Sequence, residues 1–423
     1  MNEAQQKFQG YKAAVACFVI MFASYGSLST FAIFLPEFIV SMNSDVATIG
    51  YMASFFGFGG VIGNAVAGKV FEVIPLKWCA VIGNLMIATH YTMYSFAENV
   101  TTLYIAAAIA GLGMGIGTLS CCAAIIQQWF IDYREKLIGL SFAGAGFGAG
   151  VWMFLDGQMI ELIGYRHAYH VMIAFVLLVC IPLTIILIKD PKKIGQKPLG
   201  WEKEEELKSL ANSQEDVGIS FVEAVKKPVF YIMLIGVTFI GMLILGFETY
   251  APEYWQQHGV GVAMSATYLT IYYLIGCGMT MVSGVIAQKI SVKAYIIYTN
   301  IFFIIGAICV AAWPSFQTFG FTLLILFCMG VAYPLFSSVP ATVTTITFGN
   351  RDYAKICAVL TAGFMMGSVL YPIGVGFCVN YFGTLVAAYY FLAISAAVAM
   401  ILIVIGLYLF PMKKLLNRLQ QTS

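Results

Sequence analysis

Residues 103–150 read LYIAAAIAGLGMGIGTLSCCAAIIQQWFIDYREKLIGLSFAGAGFGAG. The run from Leu103 to Phe130 has no charged side chain, and at ~1.5 Å per residue it is long enough to cross a hydrocarbon core of ~30 Å. A short charged stretch, DYREK, ends it, and a second apolar run follows at once. The glycines of GLGMGIG and GAGFGAG put small residues on several helix faces, which lets helices pack closely where no hydrophobic force drives them together. A phosphate cradle is the rival reading of such glycine runs, but it requires a preceding strand, and these glycines sit inside apolar helices.

The same pattern repeats along the whole chain. Of 423 residues, 61% are hydrophobic and 10% charged, with 33 Phe and 24 Tyr; a soluble domain carries about a quarter charged residues. Apolar runs recur from Tyr11 almost to the end, and turn signals divide them into twelve spans. The short alternating segments of a β-barrel are absent. The expected fold is therefore all-α and integral to the membrane, with twelve transmembrane helices. The ten cysteines, among them the adjacent Cys121 and Cys122, lie in or at the edges of spans and show no metal-ligand spacing. They read as small core residues. The first span is too long for a signal peptide and lacks a cleavage site.

If the N-terminus faces the cytoplasm, every one of the 22 basic residues except Arg166 falls in a cytoplasmic segment. The excess of Lys and Arg on one side sets the orientation, with both termini cytoplasmic. The one long loop, Lys189 to Lys227, contains WEKEEELKSL, expected as a short surface helix. It divides the chain into an N-terminal six-helix bundle over 1–188, a central loop over 189–227 and a C-terminal six-helix bundle over 228–423. No GxxxxGK[ST] phosphate loop occurs, so the energy for transport is expected to come from a gradient.

The two halves echo each other. The loop after span 2 reads GKVFEVIPLK (Gly68 to Lys77) and that after span 8 reads GVIAQKISVK (Gly284 to Lys293); FIDYREK after span 4 is matched by FGNRDYAK after span 10. Repeated units of this kind mark transporters. On these residues the chain resembles the major facilitator superfamily over essentially its whole length. The resemblance implies gating roles for Gly68, Glu72 and Lys77, and for Gly284 and Lys289 with Lys293 in the second copy. That copy has Gln288 where the family has an acid, and the first has Val73 and Pro75 where the family has its central cation and glycine. QQWFIDYREKLIGLSFAGAGFGAG, GYRHAY, DPKKIGQKPLG and FVEAVKKPVFYIML are most similar to the bacterial branch of oxalate:formate antiporters and monocarboxylate carriers. That branch places a Lys or Arg in helix 8 or 11, yet Met264 to Gln288 and Ile356 to Cys378 hold none. Oxalate is therefore not expected as substrate. A neutral solute, a protonated acid or a larger amphipathic molecule is.

The resemblance implies that helices 1, 4, 7 and 10 line the cavity, which points to Tyr25, Ser29, Thr118, Ser120, Glu248, Tyr250, Tyr333, Ser337 and Ser338 as substrate-binding residues. Hydroxyls that serve only helix packing are the competing reading of each. Asp156 and Glu248 are carboxylates inside apolar spans, where an acid costs about 2.5–3.5 kcal/mol at the helix centre and marks function by default; counted from the cytoplasmic ends of their spans, both fall in the outer third, where the cost is smaller. Both are candidates for proton coupling; for Asp156 the alternative is an outer-face ion pair with Arg166. Glu37, beside Pro36, reads as interfacial. His90 reads as structural, since span 3 is peripheral in the resembled fold.

The expected function is secondary active transport of a small organic metabolite, a monocarboxylate or other weak acid among the options, by alternating access as a proton symporter or exchanger. Export of multiple amphipathic compounds and non-transporting sensing are the alternatives. No enzyme activity, cofactor, metal or nucleic-acid partner is expected. The partners are the solute and the lipid bilayer, and the protein is expected as a monomer in the cytoplasmic (inner) membrane of a prokaryote.

Overall fold

The computed structural model describes residues 8–131, 133–191, 193–201, 218–290, 292–349 and 351–409. Among them the apolar runs form helical rods, because a backbone in lipid must satisfy its own N–H and C=O groups. In chain order these are α1 (Gly10–Ser41), α2 (Val46–Val73), α3 (Leu76–Ser95), α4 (Val100–Trp129), α5 (Arg134–Ile163), α6 (Tyr165–Leu187), α7 (Pro228–Gln257), α8 (Val262–Ile290), α9 (Val292–Phe316), α10 (319–348), α11 (Tyr353–Phe382) and α12 (Leu385–Leu409). The boundaries follow local chemistry. Asp45 accepts from the Thr48 amide at 2.9 Å ahead of α2, Asn99 accepts from the Thr102 amide at 2.9 Å ahead of α4, and Thr318 accepts from the Phe321 amide at 3.3 Å ahead of α10. Each supplies an acceptor for an amide the first turn leaves open. Gly164 and Gly383, at φ +80° and +71°, end α5 and α11 in conformations that disfavour a side chain.

Ten of these rods are long and apolar enough to cross a membrane. The other two explain the difference from twelve: α3 carries Asn84, Thr89 and His90 within 20 residues, and α10 is divided at Tyr333 into Phe319–Ala332 and Pro334–Phe348. Proline has no N–H to donate and forces this break. α4 is likewise divided, at Thr118, whose φ of −115° and ψ of −107° leave helical space. In α1 the turn Met21–Gly26 is π-helical, and two turn residues, Ser29 and Thr30, precede the resumed helix at Phe31.

The chain forms two compact units. The first joins Met1–Phe31 to Phe58–Gln214; the second joins Ala32–Gly57 to Glu215–Ser423. The boundary therefore differs from the halves 1–188 and 228–423 read from the loops. Small residues are the reason: Gly50 lies under the Tyr250 hydroxyl, Gly57 under Ser368, and Ser54 donates to the Val369 carbonyl at 2.8 Å, all inside the second unit. In the first unit α3 packs on α4 and α5 on α1; in the second α7 packs on α11 and α12. Glycine permits the closest crossings. A Cβ at Gly83 would meet the Gly113 carbonyl oxygen at 2.6 Å and the Gly117 amide nitrogen at 2.8 Å.

Parts of the central loop are tied to helix ends. The Ile131 amide donates to the Leu199 carbonyl and the Leu199 amide to the Trp129 carbonyl, both at 2.9 Å. In the second unit the Ile219 amide donates to the Phe348 carbonyl at 3.0 Å and the Phe221 amide to the Asp352 carboxylate at 2.8 Å. Beyond Trp201, the stretch expected as a surface helix lies outside the described residues.

Candidate functional site

The irregular part of α1 is built by its own hydroxyls. Ser27 Oγ donates within the helix to the Ala23 carbonyl (2.5 Å) or the Ser24 carbonyl (3.2 Å), and Thr30 Oγ1 donates to the Ser27 carbonyl at 2.8 Å. Such back-bonding bends helices, and π-turns occur often at functional sites. Gly26 lies against the backbone of Gly148, which brings α5 directly onto this bend.

Asp156 of α5 faces it. The residue is 0% exposed, and neither carboxylate oxygen has a hydrogen-bond partner. The Thr30 hydroxyl, which donates to the Ser27 carbonyl, lies beside the carboxylate. The phenol groups of Tyr91 and Tyr169 lie within its electrostatic range. From there a polar seam runs through the first unit: Ser27 Oγ and Tyr91 Oη lie 2.5 Å apart, Ser24 is hydrogen-bonded to Asn84, and Cys180 Sγ donates to Asn84 Oδ1 at 3.4 Å. The expected ion pair with Arg166 does not form. Arg166 Nε donates to Tyr165 Oη at 3.2 Å, with the guanidinium 5.8 Å from that ring. The physical cause is the Gly164 turn, which starts α6 on the exposed surface while Asp156 turns inward toward α1.

Glu248 of α7 is half-buried, and Tyr272 Oη donates to its Oε1 at 3.0 Å, with the Tyr273 hydroxyl also reaching the carboxylate. The rings of Tyr272, Tyr273 and Tyr333 stand with centroids 5.1, 5.6 and 6.1 Å apart. Gly276 makes this possible: a Cβ there would lie 2.8 Å from Tyr333 Cβ, so only glycine lets α10 bring that ring against α8.

Of the other expected residues, Tyr25 and Ser29 are half-buried in α1, with Ser29 Oγ donating to the Tyr25 carbonyl at 3.3 Å. Thr118 is buried at the break in α4 and donates to the Met114 carbonyl at 2.6 Å. Ser120 donates to Asn64 Oδ1 of α2 at 3.1 Å. Tyr250 is 1% exposed and its hydroxyl has no hydrogen-bond partner. The side chains of Ser337 and Ser338 lie outside the described residues, as do the surroundings of Gly284 and Gln288.

At the helix ends, nothing lies within 4 Å of a Cβ placed on Gly68, Glu72 is exposed in the last turn of α2, and Lys289 is exposed at the end of α8. Lys77 Nζ lies 5.8 Å from the Trp78 ring, and Lys293 Nζ 4.3 Å from that of Tyr408. His90 is buried, with Nδ1 at 3.1 Å from the Ala106 carbonyl oxygen and its ring 4.0 Å from that of Tyr94. This suits a structural imidazole.

Sequence reasoning did not single out Thr30, Asn64, Asn84, Tyr91, Tyr272 or Tyr273. An amide inside a span was the available signal for the two asparagines. Among the described residues no cluster of three or more His, Cys, Asp and Glu side chains is placed to hold a metal. Each acid, in its own unit, sits among hydroxyls and rings, which suits binding and protonation rather than bond-making.

The profile of the Major Facilitator Superfamily matches residues 17–356. The MFS-type transporter YhjX of Escherichia coli (strain K12) is 22% identical over 354 residues, covering 81% of this chain and 82% of that protein. Monocarboxylate transporter 12 of Mus musculus is 19% identical, covering 73% and 67%. A crystal structure of the nucleoside transporter NupG superposes with a TM-score of 0.72 at 15% identity, covering 94% of this chain and 99% of that one, a likeness of fold. The chain is a multi-pass membrane transporter, not an enzyme, and it belongs to the Major Facilitator Superfamily.

Proposed function

We propose that the protein is a secondary active carrier of a small organic solute, coupled to protons and working by alternating access. One observation carries the reading: Asp156, at 0% exposure with both oxygens unpartnered, sits beside the bend of α1. An acid without a partner at such a place costs stability, and in a membrane protein it marks proton relays and ion pathways. Alternate loading and release of one proton there, while α1 changes shape at its π-turn, couples the gradient to solute movement.

Reconstituted protein should accumulate solute against its gradient when a pH difference is imposed. Asp156→Asn should abolish that accumulation and leave solute counterflow largely intact, because exchange never requires the empty carrier to change protonation. Normal accumulation by the Asn variant contradicts the assignment.

A second reading, a weak acid carried together with its proton, is favoured by the similarity to monocarboxylate transporter 12. Among the described residues every Lys and Arg in the rods lies near a helix end, so a free dicarboxylate has no buried fixed cation to meet it. Tight oxalate binding at neutral pH contradicts that statement. Export rather than import of the solute is an outcome of the same liposome assay.

A further inference from the structure

Glu248 and Asp156 are acids well inside the rods, and no Lys or Arg accompanies them. Asp156 is fully buried, whereas Glu248 is half-buried. Two phenol groups stand behind it. Tyr272 donates to Oε1 at 3.0 Å with Tyr273 beside it, and both residues are essentially buried. These donors position the carboxylate but bring no positive charge. The third ring, Tyr333, is half-buried at 5.6 Å from Tyr272 and 6.1 Å from Tyr273.

We infer that Glu248, backed by Tyr272 and Tyr273 and flanked by Tyr333, binds the ammonium group of an organic cation. An anionic ligand at this place meets like charge in a low dielectric. A neutral ligand leaves the carboxylate without a counter-charge. An ammonium supplies it, and ring faces within about 6 Å attract it further through their quadrupoles. The fixed interior charges are all negative, which also rejects anions, so the same residues provide attraction and exclusion. The bound ammonium neutralises Glu248, and the coupled proton stays with Asp156.

The inference deepens the transport reading, on which it rests for the movement of the bound cation across the membrane; the site itself is tested by binding alone. The full chain, purified in detergent, is titrated with benzyltrimethylammonium, and benzyl alcohol and benzoate serve as neutral and anionic comparators of similar ring size. The cation should bind, and both comparators should bind about tenfold more weakly or worse. Glu248→Gln should lower cation affinity about tenfold or more, with Glu248→Asp intermediate. If Glu248→Gln does not fold, Tyr333→Leu serves in its place, with an expected loss of about threefold or more. Benzoate binding better than the cation, cation affinity unchanged in these variants, or no cation binding at millimolar concentration each overturns the inference. Cation binding at Glu248 without proton-coupled movement of solute in liposomes instead overturns the coupled-transport reading and leaves the site standing. Proton-driven uptake of another solute with no cation binding does the reverse.

Discussion

Replacing Asp156 by Asn should make the protein more stable. The side chain is wholly buried, and neither oxygen accepts a hydrogen bond. Asn has nearly the same shape, so the substitution leaves no cavity and removes only the charge. A buried polar group without a partner costs about 1–3 kcal/mol, and an aspartate in a spanning helix costs about 2.5–3.5 kcal/mol at the centre and less toward the end, where Asp156 lies. The amide remains polar and unpartnered, so part of that cost persists, and a gain of about 1–2 kcal/mol is expected. At ~2–4 °C per kcal/mol in domains of 150–250 residues, and less in a longer chain, the rise should be about 1–4 °C. Buried free cysteines, among them Cys17, Cys121, Cys122 and Cys180 in the first unit, make a thiol-reactive dye a direct reporter of thermal opening. A fall in the melting temperature of Asp156→Asn would contradict this, since the carboxylate would then gain more from its neighbours, the Thr30 hydroxyl first, than its burial costs. Asp156→Ala is not an equivalent test, because it adds a cavity.

Gly83→Ala should destabilise by about 1–3 kcal/mol, because its Cβ meets the backbone of Gly113 and Gly117, which cannot swing away; Gly139→Ala, with nothing within 4 Å, should not. Both are read by the same thermal assay. Ser120→Ala and Asn64→Ala should couple by about 0.6 kcal/mol in a double-mutant cycle, the usual size for such bonds between membrane helices, and zero coupling removes the bond from the account. Asp352 accepts the Phe221 amide at 2.8 Å with Lys355 at 3.7 Å. The amide bond first, helped by Lys355 and Arg351, holds its carboxyl below the usual carboxylate range. With a lowered folded value, the attachment is complete above the ordinary carboxylate range and is lost as pH falls through the lowered value. Hydrogen exchange at the Phe221 amide should therefore be slow at neutral pH and lose its protection in acid; protection unchanged by Asp352→Asn contradicts this.

Much of the fold was legible in the sequence because the period of apolar runs follows from bilayer thickness alone. Asp156 and Glu248 were legible for the same reason, as single acids in runs that lipid otherwise dictates. The surroundings of each acid were not. A spanning helix is apolar on all faces, so no hydrophobic stripe tells which side turns inward, and this rotation decides that Asp156 faces Thr30 rather than Arg166. Ser27 and Tyr91, or Glu248 and Tyr272, meet across helices whose register no local spacing fixes. The unit boundary escaped for a further reason: the loop at 189–227 is visible as charge, whereas the placing of Ala32–Gly57 in the second unit depends on Gly50 and Gly57 admitting Tyr250 and Ser368.

Proton movement reports on Asp156 without an intermediary. Liposomes holding the purified protein and a trapped pH-sensitive dye are given an outward or inward solute gradient without any imposed pH difference. The lumenal pH should change with the solute gradient and reverse with it, and the change should disappear in Asp156→Asn while labelled solute still exchanges. Solute-driven proton movement of equal size in Asp156→Asn would contradict it.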